Sequence, residues 1–322
     1  MDTNTAEMLD CLIVGAGPGG LTAATYLMRF HRRVLVVDAG ASRARWIPTS
    51  HNCPGFPMGV HGTTLLQRMR EQATGYGTEI VDGCVEQLKR DKDGSFEVIA
   101  GDGRHWRARF VILATGIVDR MPALQGLPAA IDAGVVRLCA VCDGYEASDA
   151  RIAVYGPVNE AVGHALFLRT FSPDVSVVPL EDERLESERE RQVRDAGITV
   201  HPPADAMAFD GECAVVEFDD AEPQRFSTLY PVLGGEAQAG LAHALGARCD
   251  DNGELIVDDH QQTSVEGLYA IGDVVSALNQ IAVAVGHAAI AATTVHNRLP
   301  RNFRENRASQ PASAPDLPSP AP

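Results

Sequence analysis

The feature that most constrains this chain lies in its first forty residues. The apolar run Leu9 to Val14 ends in Gly15-Ala16-Gly17-Pro18-Gly19-Gly20. Helical spacing follows from Leu21 to Phe30, and a second apolar run, Val34 to Val37, ends at Asp38. Strand, glycine-rich turn, helix and strand in that order predict a β-α-β unit built to receive a nucleotide. Gly15 makes the tight turn, Gly17 lets backbone approach a pyrophosphate, and Gly20 lets the helix close on the strand. Pro18 and Gly19 open the helix whose N-terminus faces the phosphates. Asp38, with Ala39 beside it, stands about 20 positions further on, where a ribose-hydroxyl acceptor belongs. The turn by itself does not separate NAD from FAD.

A second β-α-β pattern begins at Arg151. Ile152 to Tyr155 is apolar, Gly156 breaks it, Glu160 to Phe171 has helical period, and Val175 to Val178 is again strand-like. Between the two units, a helix is expected over Thr63 to Thr74. Strands are expected at Val85 to Leu88, Phe96 to Ile99 and Phe110 to Leu113, the last running into Ala114-Thr115-Gly116. Glu181 to Arg194 is almost all charged and reads as a solvated helix face. A β-rich stretch covers Val215 to Val232. A strand–turn pattern from Leu255 leads to Gly272-Asp273, and a long helix is expected from about Ala282 to His296. The 322 residues suit two domains. The fold class expected is α/β with two dinucleotide-binding, Rossmann-like domains.

Charge narrows the function. Acids outnumber bases 43 to 27, a net charge of −16, which repels nucleic-acid backbones and anionic membrane surfaces. Met1 to Asp10 carries acids and no Lys or Arg, unlike a signal peptide. Ile281 to Val295 is interrupted by Gly286 and His287 and falls short of a membrane span. A cytoplasmic protein with no nucleic-acid or membrane partner is expected. Of seven cysteines, Cys11, Cys53, Cys84, Cys213 and Cys249 are scattered, while Cys139 and Cys142 form C-x-x-C. Zinc would want a second such pair or histidines at ligand spacing, so no metal is expected and the pair reads as redox-active. Two thiols at this spacing close and reopen a small disulfide ring by thiolate attack. Asp143 is placed to move the proton that exchange requires.

The remaining motifs carry a resemblance. Gly272-Asp273, at the end of an apolar strand before a long helix, resembles the second FAD motif of the two-dinucleotide-domain flavoproteins, and Ala114-Thr115-Gly116 adds a third element. Cys139-Ala140-Val141-Cys142-Asp143-Gly144 resembles the C-A-T-C-D-G motif of the low-molecular-weight thioredoxin reductases. Asn52-Cys53-Pro54-Gly55 resembles their N-W-P-G segment. In motif order the match covers roughly residues 9 to 300. The resemblance implies FAD as cofactor, with Asn52, Thr115, Gly116, Gly272, Asp273, Gln280 and Ile281 in its site. It implies that Cys142 faces the flavin and that Cys139 exchanges with thioredoxin or another dithiol/disulfide substrate. It also implies a homodimer whose FAD domain is discontinuous, over residues 1–120 and 241–300. A pyridine-nucleotide-type domain, 121–240, carries the C-x-x-C between these parts. Residues 301–322, rich in Pro, Ala and Ser, are expected to be a disordered tail.

The chain also departs from that family. Its second loop is Gly156-Pro157-Val158-Asn159-Glu160-Ala161 where the family has G-x-G-x-x-A. Val158 is expected to fill the pyrophosphate space, and Pro157 removes a backbone donor. The family's basic H-R-R-x-x-x-R segment is replaced by Pro179-Leu180-Glu181-Asp182-Glu183-Arg184-Leu185, the wrong sign for a 2′-phosphate. Glu181 can in principle accept a ribose hydroxyl. The usual NADPH site is therefore expected to be lost, with ferredoxin, another flavoprotein or a reduced thiol as electron donor. A disulfide reductase of that kind, an oxygen-using dithiol oxidase, an NADPH-dependent thioredoxin reductase and a flavin-bound redox sensor all stay open, and Asp143 leans towards the reductase side. His287 reads either as a proton donor near the flavin or as a satisfied helix histidine. Cys53 reads as a small buried residue or a third thiol, and Trp46 as a flavin neighbour or a packing residue.

Overall fold

Alternation along β1 (Leu9–Val14) sets the layers. Leu12 and Val14 face one core with Leu35, Val37 and Leu113, whereas Cys11 and Ile13 face another with Val36 and Ile112, as a period of two dictates. The computed structural model describes residues 8–219, 221–275 and 278–304, so the expected tail beyond 304 lies outside the described residues. After β1 come α1 (Pro18–Arg29), β2 (Val34–Asp38), α2 (Gly62–Gly75), β3 (Glu79–Asp82), β4 (Val85–Arg90), β5 (Phe96–Ala100) and β6 (His105–Leu113). Then follow β7 (Ile117–Asp119), α3 (Leu127–Asp132), α4 (Ala140–Asp143), β8 (Ile152–Gly156), α5 (Val158–Leu168), β9 (Val175–Pro179), α6 (Ser187–Ala196) and β10 (Thr199–Val200). β11 (Ala206–Phe209), β12 (Ala214–Phe218), β13 (Ala221–Phe226), β14 (Thr228–Pro231), β15 (Gly235–Ala237), α7 (Gly240–His243), β16 (Leu268–Ala270) and α8 (Ile281–Arg298) complete the chain.

The first sheet has the order β3-β2-β1-β6-β5-β4. Its β3, β2, β1 and β6 run parallel. The N-terminal half of β6 pairs antiparallel with β5, and Val111 to Leu113 pair instead with β16, parallel. The chain thus leaves this sheet after β6 and returns only at β16. α8 buries Ala288, Ala291, Ala292 and Val295 against the small Ala23 and Ala24 of α1 in one core, a helical i, i+3, i+4, i+7 stripe. The second sheet, β10-β9-β8-β14, is wholly parallel, and β11-β12-β13 form an antiparallel sheet beside it. This is an α/β fold with two dinucleotide-binding-type units. Among the described residues no helix is long and apolar enough to cross a membrane.

Two features escape a local reading of the chain. β7 and β15 are three residues each and pair antiparallel, Ile117 with Ala237 and Asp119 with Gly235, where the chain crosses between the sheets. The charged stretch Glu181 to Arg194 is helical only from Ser187. Its first part is a loop held back against α5: Asn159 donates to the Arg184 carbonyl at 3.3 Å and accepts from the Glu186 amide at 3.0 Å.

Candidate active site

At the C-terminal ends of β1, β2 and β6 a cavity of about 990 Å³ opens, at the upper end of the range for ligand sites. The tip of β1 forces its shape. Gly15 sits at φ +104°, and a Cβ there would lie 2.4 Å from the Ala114 carbonyl oxygen. A Cβ on Gly20 would lie 1.9 Å from the Gly15 oxygen, so Gly20 serves helix-to-strand contact and does not line the cavity. Gly17, Pro18 and Gly19 do line it. A Cβ on Gly17 would meet only Ser42 Oγ, at 3.3 Å, leaving the backbone open to a phosphate. The size, the open glycine turn and the helix N-terminus fit an FAD.

Asp38 and Ala39 line the same cavity. Asp38 Oδ1 accepts the Ala16 amide at 3.0 Å and Oδ2 faces Arg70 at 3.2 Å, and a carboxylate so held keeps lone pairs for a ribose hydroxyl. Thr115 and Gly116 sit on the wall where the chain crosses over: the Thr115 hydroxyl donates to the Gln238 carbonyl at 2.7 Å, and the Gln238 amide donates to the Gly116 carbonyl at 2.9 Å. Gly272, Asp273, Asn52, Gln280 and Ile281 complete the expected lining. Burial raises the Asp273 carboxyl above its ordinary value, opposed by Arg43. Arg43 is the residue a sequence reading misses. It lies in a short 3-10 turn, Arg43–Trp46, with Nη1 3.4 Å from Asp273 Oδ2, and it lines the cavity as a fixed cation suited to phosphate charge. An Arg just after β2 carries no motif that would flag it.

The same cavity reaches Cys139 and Cys142, which are joined by a disulfide. Cys139 caps α4, its sulfur accepting the Cys142 amide at 3.1 Å. Gly144 is required for packing, since a Cβ there would lie 2.7 Å from the Phe171 ring. Asp143 also lines the cavity. The Tyr230 hydroxyl donates to its Oδ1 at 3.0 Å, and Arg137 stands 3.4 Å from its Oδ2. Burial raises the Asp143 carboxyl, with Arg137 and Tyr230 opposing. His287 lies outside the cavity wall. Its Nδ1 is buried without a hydrogen-bond partner, and burial lowers its pKa against the pull of Asp273. Trp46 lines the cavity while nearly half exposed, and Cys53 is a half-buried free thiol whose pKa burial raises.

The second unit corrects one expectation. Val158 does not project into a phosphate space. It is 1% exposed and packs with Ala161, Val162 and Val177 in the core under the sheet. What meets the start of α5 is the chain's own acid: Glu183 Oε2 accepts the Val158 amide at 3.2 Å and Oε1 accepts Asn159 Nδ2 at 3.1 Å. Glu181, an acceptor for a ribose hydroxyl only in principle, is exposed, and Glu183 is the residue that turns back.

A dinucleotide cavity that ends on a C-x-x-C disulfide defines a disulfide oxidoreductase with two dinucleotide-type units. Comparison with known proteins agrees. Residues 9–288 match the pyridine nucleotide-disulphide oxidoreductase family. The thioredoxin reductase of Peptoclostridium acidaminophilum is 30% identical over 320 residues, covering 93% of this chain and 99% of that protein. The crystal structure of HlmI superposes with a TM-score of 0.84 at 29% identity, covering 90% of this chain and 92% of that one. The thioredoxin reductase of Streptococcus pyogenes gives 0.83 at 29%, covering 91% and 98%. The chain belongs to the pyridine nucleotide-disulphide oxidoreductase family. Within it, this is a thioredoxin reductase-like FAD flavoprotein, a flavin-dependent disulfide oxidoreductase.

Proposed function

We propose that this enzyme exchanges electrons between FAD and the Cys139–Cys142 pair, and between that pair and a protein or small-molecule disulfide, without using NADPH in the usual way. The observation that carries the donor reading is the Glu183 carboxylate on the Val158 amide. A pyrophosphate arriving at the start of α5 would meet a negative charge already on the donor it needs, and Pro157 offers no amide to replace it. Glu181 and Asp182 add charge of the same sign.

FAD in the large cavity supplies a two-electron centre. Cys142 is the thiol assigned to the flavin side and Cys139 the thiol that exchanges with substrate, with Asp143 moving the proton. Gly15, Gly17, Pro18, Gly19, Asp38, Ala39, Thr115, Gly116, Gly272, Asp273 and Ile281 hold the cofactor, while Gly20 supports it through packing. His287, off the cavity wall, tunes the site through Asp273. The donor is a ferredoxin, another flavoprotein or a reduced thiol. Thioredoxin, the substrate named for the reductases it resembles, is the first disulfide to try. A cytoplasmic homodimer, with domain limits near residues 120, 240 and 300, belongs to the same reading.

The test is anaerobic rapid mixing of the yellow protein with excess NADPH, NADH and dithiothreitol in turn. Bleaching by dithiothreitol alone supports the reading. Fast bleaching by NADPH overturns it and leaves a working NADPH-dependent thioredoxin reductase with an unusual loop. Oxygen uptake during dithiothreitol turnover would assign an oxidase instead of a reductase.

A further inference from the structure

Gln280 lines the cofactor cavity, and its side-chain amide lies against the disulfide. Its Nε2 stands 3.2 Å from Cys142 Sγ and 3.4 Å from Cys139 Sγ, and it also donates to the Asn279 carbonyl at 3.0 Å. One amide hydrogen thus goes to the backbone, and the other is shared between the sulfurs. The direction of the amide is set from behind. Gln280 Oε1 accepts from Asn52 Nδ2 at 2.9 Å, and Asn52 Oδ1 accepts from the Ser50 hydroxyl at 3.1 Å. Ser50 is 5% exposed. Each member of the Ser50–Asn52–Gln280 chain donates forward, so the chain ends as a donor on sulfur. Gln280 also caps α8 in an extended conformation, which anchors its backbone to a rigid element.

We infer that Gln280 is a catalytic donor that stabilises the thiolate released when the Cys139–Cys142 bond opens, and that Asn52 is the residue positioning it. The inference rests on the pair being the redox centre. In the step concerned, a thiolate of a dithiol reductant attacks one sulfur, forming a mixed disulfide, and the other sulfur departs with the bonding electrons. The second thiol of the reductant then resolves the mixed disulfide and the reductant leaves as a disulfide. Two electrons have entered the pair, and the protons come from the reductant's thiols. A disulfide sulfur is a weak acceptor, whereas a thiolate is a charged one. The Gln280 hydrogen bond therefore strengthens as charge develops, which is the property of a catalytic donor. Cys142's amide on Cys139 Sγ supplies the second donor. Other charged and titratable groups line the same cavity, Asp143, Glu146, Arg137 and His51; a carboxylate opposes a thiolate beside it and a guanidinium favours one.

The test measures the pH dependence of iodoacetamide alkylation of the dithiothreitol-reduced holoprotein, with its reduction potential against a dithiothreitol buffer. Gln280→Leu should raise the thiol pKa by about one unit, so that roughly tenfold less thiolate remains at neutral pH, and should make the pair harder to reduce. Asn52→Leu should shift both in the same direction by less. Unchanged pKa and potential in a folded, yellow Gln280→Leu protein would overturn the assignment. If that variant does not fold, Gln280→Glu, which keeps the length and replaces donor by acceptor, decides by the same criteria. If wild-type protein does not open its disulfide with dithiothreitol, the proposed function itself fails. A pair that opens with thiols indifferent to Gln280 sinks only this inference.

Discussion

Arg43 holds Asp119 by two parallel contacts, Nε to Oδ2 at 2.6 Å and Nη2 to Oδ1 at 2.9 Å. Asp119 ends β7, one of the two short strands that carry the chain between the sheets, and the third guanidinium nitrogen of Arg43 faces Asp273. One cation therefore joins the crossover to the cofactor cavity. Arg43→Gln leaves two half-buried carboxylates short of their partner and should cost about 2 kcal/mol, read as a lower urea midpoint at unchanged slope. Flavin retention should weaken in parallel. Wild-type stability in that variant would show that the pair is merely a surface ion pair.

Gly20→Ala should yield protein without visible flavin absorbance. The added Cβ would meet the Gly15 backbone oxygen at 1.9 Å, and a backbone neighbour cannot swing aside as a side chain can. The cradle must open or α1 must shift away from β1. A yellow Gly20→Ala protein would contradict the tight closure of that turn.

Asp143 should make stability fall as pH rises through the acid range. Burial lifts its carboxyl above the ordinary value of 3.8 despite Arg137 and Tyr230. The unfolded chain then ionises first, so the contribution is complete below the unfolded pKa and is lost as pH rises through the folded one. The difference in unfolding free energy between wild type and Asp143→Asn, followed across that range, should decline with pH. Tyr230→Phe removes a donor to the carboxylate and should carry the decline to higher pH. A difference that grows with pH would reverse the assignment.

Glu183→Ala should cost only about 0.5–1 kcal/mol, the usual worth of a carboxylate at a helix start. It should not restore bleaching by NADPH, because Pro157 still lacks an amide and Glu181 and Asp182 remain. Rapid NADPH bleaching in this variant would show that Glu183 alone closes the site.

Short-range pattern determined much of this protein from the sequence alone. Leu9 to Asp38 had to form strand, turn, helix and strand, because apolar period and glycine placement are local properties. The same holds for Ile152 to Val178 and for the redox spacing of Cys139 and Cys142. The boundaries moved by only a few residues: α8 begins at Ile281 and ends at Arg298, against an expected Ala282 to His296. What the tertiary structure decided were directions and distant partners. Val158 points into the core because the phase of α5 against β8 sets where its first side chain faces, and no composition rule contains that phase. Glu183 meets Val158 across 25 residues, Arg43 meets Asp119 across 76, and Gln280 meets Cys142 across 138. Such contacts depend on where the folded layers bring the chain together, and a linear reading has no measure of that distance.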